Sequence, residues 1–173
     1  MVQKHKHQKL HKSREDLTGE HKIGDFGQAI FGCLFAFVWI SDTHFYQITT
    51  ALNYHIPSYV RIPSGIILLI LSASLAMTGL YVVFIEKREK PVVIRKGVFG
   101  FVRHPIYLSE ILLYLGFFMF SLSLAALCVL IMASLFLYFL SRYEEKLLLA
   151  RFGASYKKYM QEVGMWIPRF WRK

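Results

Sequence analysis

Two short clusters carry the side chains from which this chain could build a reactive site: Arg103-His104-Pro105-Ile106-Tyr107 and Glu144-Glu145. Pro105 suits the first turn of a helix, because its missing N–H would have no partner there. The orphan N–H groups of that turn, beside Arg103 and His104, make an anion site fit for a carboxylate or phosphate. Tyr107, with Phe99 and Phe101 just upstream, adds ring faces that stack on a base or hold a cation. Arg103 alone could equally be an interfacial anchor whose charged head snorkels to water. It is the convergence of these residues within nine positions that points to a site. Glu144 and Glu145 stand where a membrane boundary favours Lys or Arg. Read as following the last membrane helix, they also oppose the negative end of its dipole. Two explanations are open. Either Arg103, Arg142 or Lys146 neutralises them, or they bind a ligand, pairing an amine or accepting bonds from a ribose diol.

The elements that must position these clusters follow from the apolar sequence between them. From Ile106 to Leu140 run 35 residues in which Glu110 is the only Asp, Glu, Lys, Arg or His. As one helix they would extend about 50 Å, against a hydrocarbon core about 30 Å thick. A hairpin folded at Ser121-Leu122-Ser123 fits the bilayer and returns both clusters to one face. The chain is 55% hydrophobic over 173 residues, which marks a small polytopic membrane protein. Phe26 to Phe45 reads as one further span and Ser64 to Ile85, which has no charge, as another. The expected fold is therefore all-α, with about four transmembrane helices including the C-terminal hairpin, and a C-terminal interfacial helix.

Charge sets the orientation. The segments 1–25, 86–105 and 141–173 carry six, six and eight Lys/Arg, and the remaining one is Arg61 in 46–63. Twenty of 21 thus fall on one side of a four-helix path. The positive-inside rule puts both termini in the cytoplasm, of a bacterial or archaeal plasma membrane or of the endoplasmic reticulum. The net charge of +10 then reads as membrane orientation and attraction to anionic lipid, and no nucleic-acid partner is expected.

The flanks are less specific. Residues 1–25 read as a basic, partly disordered cytoplasmic tail; its His5, His7, His11 and His21 are too irregularly spaced to suggest a metal site. The late apolar onset does not suit a cleavable signal peptide. Residues 26–85 hold the first two spans and 86–173 the chemistry-bearing unit. Asp42 and His44 lie near the outer end of the first span, within reach of water. Segment 46–63, with Asn53, Pro57 and Pro63, reads as an irregular loop. Cys33 and Cys128 read as packing residues within apolar spans, with no disulfide or metal site implied. Residues 86–91 form a charged stop closed by Pro91. Gly97 and Gly100 allow a ligand to approach the backbone of the loop that follows. No Gly-x-Gly-x-x-Gly follows a strand, so no Rossmann site is available. Beyond the glutamates, Leu147, Leu148, Arg151, Phe152, Tyr156 and Tyr159 suggest a surface helix interrupted near Gly153. Trp166, Phe170 and Trp171 suggest an interfacial anchor. This segment could fold over the site as a lid.

Gly97-Val98-Phe99, Arg103 to Tyr107, Glu144-Glu145-Lys146-Leu147, Phe152-Gly153-Ala154-Ser155-Tyr156-Lys157-Lys158-Tyr159 and Ile167-Pro168, in that order and spacing, resemble the isoprenylcysteine carboxyl methyltransferase and phospholipid methyltransferase superfamily. The resemblance covers roughly residues 86–170. It implies an integral membrane methyltransferase with S-adenosylmethionine as donor, held between the hairpin and the C-terminal segment. Its acceptor would be a lipid-like or prenylated molecule. Carried over by position, Pro91, Val92, Val93, Ile94, Phe99, His104, Pro105, Ile106, Tyr107 and Glu144 would contact the cofactor. The prenylcysteine-specific members carry an arginine one helical turn before the first glutamate. That position is Leu140 here, and the nearest arginine is Arg142, whose i, i+2 offset from Glu144 puts it on another face of a continuous helix. Either the helix ends early enough for Arg142 to act on the acceptor, or the acceptor is not a prenylcysteine carboxylate.

Methyl transfer from a sulfonium is an in-line displacement, governed by positioning and exclusion of water. A carboxylate acceptor needs no deprotonation. An amine or thiol does, and Glu145, His104 or Tyr107 would be candidate bases. Glu110 faces either this cavity or a packed partner, since a carboxyl one turn into a membrane needs one of the two. Two alternatives are a sterol or enone reductase-like protein using NADPH, which shares an Arg-His-Pro/aromatic pattern, and a non-enzymatic membrane scaffold.

Overall fold

The computed structural model describes residues 22–85 and 92–169. The histidine-bearing tail, the charged stop ending at Pro91, and Phe170 and Trp171 lie outside the described residues. Regular structure among the described residues is helical. Helix α1 (Lys22–Ile40) continues into a π-helical turn, Ser41–Tyr46, and α2 (Ser58–Leu80) into another, Tyr81–Ile85. Then come α3 (Pro105–Ser121), α4 (Leu124–Phe152) and the short α5 (Ala154–Glu162). Gly24–Tyr46, Ser58–Phe84 and Leu124–Phe152 are long and apolar enough to cross a membrane, and the 17-residue α3 is a shorter apolar helix. At about 26 Å, α3 falls a little short of the hydrocarbon thickness. The protein is a polytopic all-α membrane protein.

Without a hydrophobic force between helices in lipid, close backbone approach decides which helices pair. The buried residues of α2 are Gly65, Ser72 and Gly79, spaced at seven, a period that keeps one seam facing a left-handed partner. That partner is α3. A Cβ on Gly65 would come within 2.9 Å of the Gly116 carbonyl oxygen, and one on Gly116 within 2.8 Å of Leu69. Midway, the Ser72 hydroxyl donates to the Ser109 carbonyl at 2.6 Å. At the site end, a Cβ on Gly79 would stand 3.0 Å from Ile106. The seam therefore pulls α2 against the first turn of α3, where the polar cluster begins. Helix α1 meets α4 through Phe31 and Phe136, whose ring centres lie 5.2 Å apart. It meets α3 through the stacked rings of Phe35 and Tyr114.

The hairpin turns at Ser121-Leu122-Ser123, as the length argument requires. Leu122 ends α3 in the left-handed region, φ 46°, and the Ser123 hydroxyl caps α4 by accepting from Ala126 N. Asp42 corrects an expectation here. It is not a water-facing terminal residue but is buried. Its carboxylate accepts from Ile48 N, Thr49 N and the hydroxyls of Thr49 and Ser123, tying the end of α1 to the hairpin turn. The loop after it is shorter than expected. Pro57 is the N-cap of α2 and Pro63 lies inside the helix. Polar side chains make that start tolerable. Ser64 donates to the Val60 carbonyl, and Arg61 donates to Asn53 Oδ1 and to the carbonyls of Ile56 and Phe120. Cys33 and Cys128 are both exposed; they stand on outward faces rather than in the packed interior.

Helix α4 also departs from expectation. It does not stop near Leu140 but runs on to Phe152, 29 residues in all. At about 43 Å, it exceeds the hydrocarbon thickness of about 30 Å by roughly two turns. Glu144 and Glu145 lie within it, more than a turn before its end, so a conflict with the terminal dipole does not arise. The expected break falls at Gly153, with φ 53°, after which α5 turns back toward the 92–104 loop.

Candidate functional site

The two polar clusters meet. A cavity of about 310 Å³ lies among Asp25 and Gln28 of α1, Leu80 of α2, Val83 and Phe84 of the π-helical turn after it, Ile94, Phe99, Arg103 and His104 of the connecting loop, Pro105, Ile106 and Tyr107 of α3, and Glu144 and Leu148 of α4. Its volume falls in the range of small-molecule sites, about 300–1,000 Å³. Pro105 stands at the first helical position with His104 as N-cap, so the positive end of α3 faces the cavity.

Arg103 organises the loop. It is buried beside a buried Glu145, with Nε and Nη2 both 2.7 Å from Glu145 Oε1. Its Nη1 donates to the carbonyls of Met160, at 2.9 Å, and Val163. One guanidinium thus joins the loop to α4 and to the C-terminal end of α5. Backbone bonds repeat the connection: Arg103 N donates to Gly164 O at 2.9 Å and His104 N to Met165 O at 3.2 Å. Tyr159 donates to the Phe99 carbonyl at 2.7 Å. Arg95 pairs with Glu162 at 2.7 Å and lies over the Tyr159 ring. Burial, with Glu145 nearby for Tyr156, pushes both the Tyr156 and Tyr159 phenols above their ordinary value of 10. They stay protonated and serve as fixed posts.

Glu144, one residue before Glu145, points to the cavity instead. The Tyr107 hydroxyl donates to Glu144 Oε1, and His104 Nδ1 lies 3.6 Å from Oε2. The Tyr107 and His104 rings stack with centres 5.5 Å apart and an interplanar angle of 5°. His104 Nε2 lies 3.5 Å from Glu145 Oε1. Burial, reinforced by the Arg103 charge, pushes the imidazole below its ordinary value of 6.5, outweighing Glu145. At neutral pH the cavity wall therefore presents a neutral imidazole, a phenol–carboxylate pair and a helix N-terminus.

The His104 shift carries a pH dependence with a definite sign. Below pH 6.5 the unfolded chain binds a proton that the folded protein refuses, so stability is full above that value and falls on acidification. The limiting slope is about 1.4 kcal/mol per pH unit for one proton. Thermal unfolding in detergent should show wild type losing stability as the pH falls below about 6.5, and His104→Phe losing less. Parallel curves for the two proteins would contradict the neutral imidazole.

Among the residues expected to touch a cofactor, Ile94, Phe99, His104, Pro105, Ile106, Tyr107 and Glu144 all line the cavity. Val92 and Val93 do not; they line a smaller neighbouring hollow with Phe152, Tyr156 and Tyr159. Pro91 lies outside the described residues. Of the two candidate catalytic residues, Glu145 lines no part of the cavity, because Arg103 holds its carboxylate on the other side. Arg142 remains exposed, 3.6 Å from Glu145 Oε2 in an i, i+3 pair, and also stands outside the lining. An early end to α4 that would let Arg142 swing inward does not occur. Leu140, on the turn before Glu144, packs against α1 near Gly24. Asp25, Gln28, Leu80, Val83, Phe84 and Leu148 are cavity residues that the sequence reading did not single out. Only the polarity of Gln28 within an apolar helix could have flagged any of them.

Comparison with known families agrees with this geometry. A family model described as phospholipid methyltransferase matches residues 53–155, more than half of the 173 residues. No curated protein and no solved structure matches. The match takes in α2, the loop, the hairpin and Glu144, the elements that form most of the cavity wall, and the chain belongs to the phospholipid methyltransferase family.

Proposed function

We propose that this membrane methyltransferase uses S-adenosylmethionine, held in the cavity between the two polar clusters, to methylate a lipid-like acceptor at the cytoplasmic interface. The Tyr107–Glu144 pair at the cavity wall carries the reading. The donor set suits that cofactor. The α3 N-terminus fits a carboxylate, Glu144 fits an ammonium or a ribose diol, and Phe84, Phe99, Ile94 and Leu148 offer apolar faces for an adenine. When bound, the cofactor supplies an electrophilic methyl on a sulfonium. Tyr107 and His104 orient Glu144; Arg103 and Glu145 fix the loop behind it. Leu80, Val83 and Phe84 keep water from the reacting end, where positioning rather than covalent chemistry lowers the barrier. The charge asymmetry supports a cytoplasmic site with both termini on that side, and residues 86–173 as the methyltransferase unit.

One titration tests the reading. Purified protein in detergent should bind S-adenosylhomocysteine and not NADPH. Binding of NADPH would favour a reductase, and binding of neither would sink the proposal. A labelled-methyl assay across amine, prenylcysteine and thiol acceptors then follows.

A further inference from the structure

Helix α1 lies wholly before the family match, which begins at residue 53, yet it supplies one wall of the cavity. Asp25 and Gln28 stand at i and i+3, on one face of that helix, and both line the cavity. Close approach to α4 sets their position. A Cβ on Gly24 would come within 3.1 Å of Leu140, and one on Gly27 within 2.2 Å of Phe136. Leu140 lies one turn before Glu144 on α4. Asp25 therefore meets the cavity from the wall beside the one that carries Glu144. Among the described residues, the lining holds three charged side chains, Asp25, Arg103 and Glu144. Arg103 is answered by Glu145 at 2.7 Å, and burial keeps His104 neutral. Two carboxylates on adjacent walls thus give the cavity a negative surplus.

We infer that Asp25 is a specificity residue that senses the sulfonium charge, favouring S-adenosylmethionine over S-adenosylhomocysteine and so the exchange of spent product for fresh donor. The inference rests on the methyl-donor reading above. There Glu144 meets the ammonium or the ribose diol, groups that donor and product share, so it sets the affinity for both. The cofactor has one further cationic group for a second carboxylate, the sulfonium, a few bonds from the ammonium. When the methyl leaves for the acceptor, the electron pair of the broken bond stays on sulfur. The donor therefore carries one positive charge more than the product, and a carboxylate near sulfur separates them by charge alone. Asp25 is exposed, so water and salt screen its field. The preference is modest for that reason, and it falls as ionic strength rises.

The measurement is calorimetric binding of S-adenosylmethionine and of S-adenosylhomocysteine, without acceptor, to wild type, Asp25→Asn, Asp25→Glu and Asp25→Lys in detergent. Wild type should bind the donor more tightly than the product, and more so at low salt than at high salt. Asp25→Asn should weaken donor binding by roughly three- to tenfold, the range for one charge pair near water. Its affinity for the product should be unchanged, which also shows that the variant is folded. Asp25→Glu should keep the preference and Asp25→Lys should reverse it. The same ratio of donor to product affinity in wild type and Asp25→Asn would overturn the inference and leave the donor reading standing. Equal weakening of both ligands by Asp25→Asn would also overturn it, since a merely structural role moves both together. Binding of neither ligand to wild type is the distinct result that removes the donor reading, and the inference with it.

Discussion

Glu144→Gln is expected to weaken S-adenosylhomocysteine binding by roughly ten- to a hundredfold, the range for losing a hydrogen bond to a charged group. The substitution keeps the shape of the side chain and an acceptor for the Tyr107 hydroxyl, so the fold should survive. What disappears is the negative charge opposite the positive end of α3. A ligand bearing both an ammonium and a carboxylate spans those two poles, and loses one of them. The neighbouring Glu145→Gln provides the contrast. Its carboxylate faces Arg103 rather than the cavity, so it should cost stability before affinity. Calorimetry in detergent separates the two, and an unchanged affinity for Glu144→Gln would remove the carboxylate from the cofactor site.

The largest effect on stability is expected at Arg103. Arg103→Met removes the partner of a buried carboxylate and the donor to two carbonyls. Breaking a buried ion pair from one side costs about 3–5 kcal/mol, enough to lower the unfolding temperature substantially. Removing both charges is a different matter, because the penalty comes mostly from the charge left behind. Arg103→Met with Glu145→Leu should therefore be more stable than Arg103→Met alone, yet still impaired in activity, since the loop carrying Phe99 and His104 would lose its side-chain ties to α4 and to the Met160 and Val163 carbonyls. Thermal unfolding of the three proteins checks this. A double variant no more stable than the single one would show that the pair itself matters little.

Much of this site was legible because its residues cluster along the chain. Arg103 to Tyr107 span five positions, and the apolar length between them and Glu144 forces a hairpin whatever the packing. The divergence of Glu144 and Glu145 was not legible. Adjacent residues on a helix point about 100° apart, and which one faces the ligand depends on the partner that claims the other. Arg103 is that partner, and its four acceptors come from α4, α5 and the segment beyond. The role of Asp25 and Gln28 depends on how α1 leans against α3, a contact between distant parts of the chain. The end of α4 at Phe152 is not legible for a related reason. The hydropathy falls at Leu140, but Glu144, Lys146, Leu147 and Leu148 are all good helix formers, and nothing breaks the helix until Gly153.

The parallel bridge between Val102 and Gly164 has a consequence for biosynthesis. During translation, all the described spans and both polar clusters are made before Gly164 emerges. Until residues 160–165 are made, Arg103 lacks the Met160 and Val163 carbonyls and the main chain of Arg103 and His104 lacks those of Gly164 and Met165, so the loop bearing Phe99 and His104 is only partly closed. Insertion into the bilayer and completion of the reactive site are thus separate events, the second waiting on residues 160–165. A nascent or prematurely ended chain would be seated in the membrane yet chemically silent.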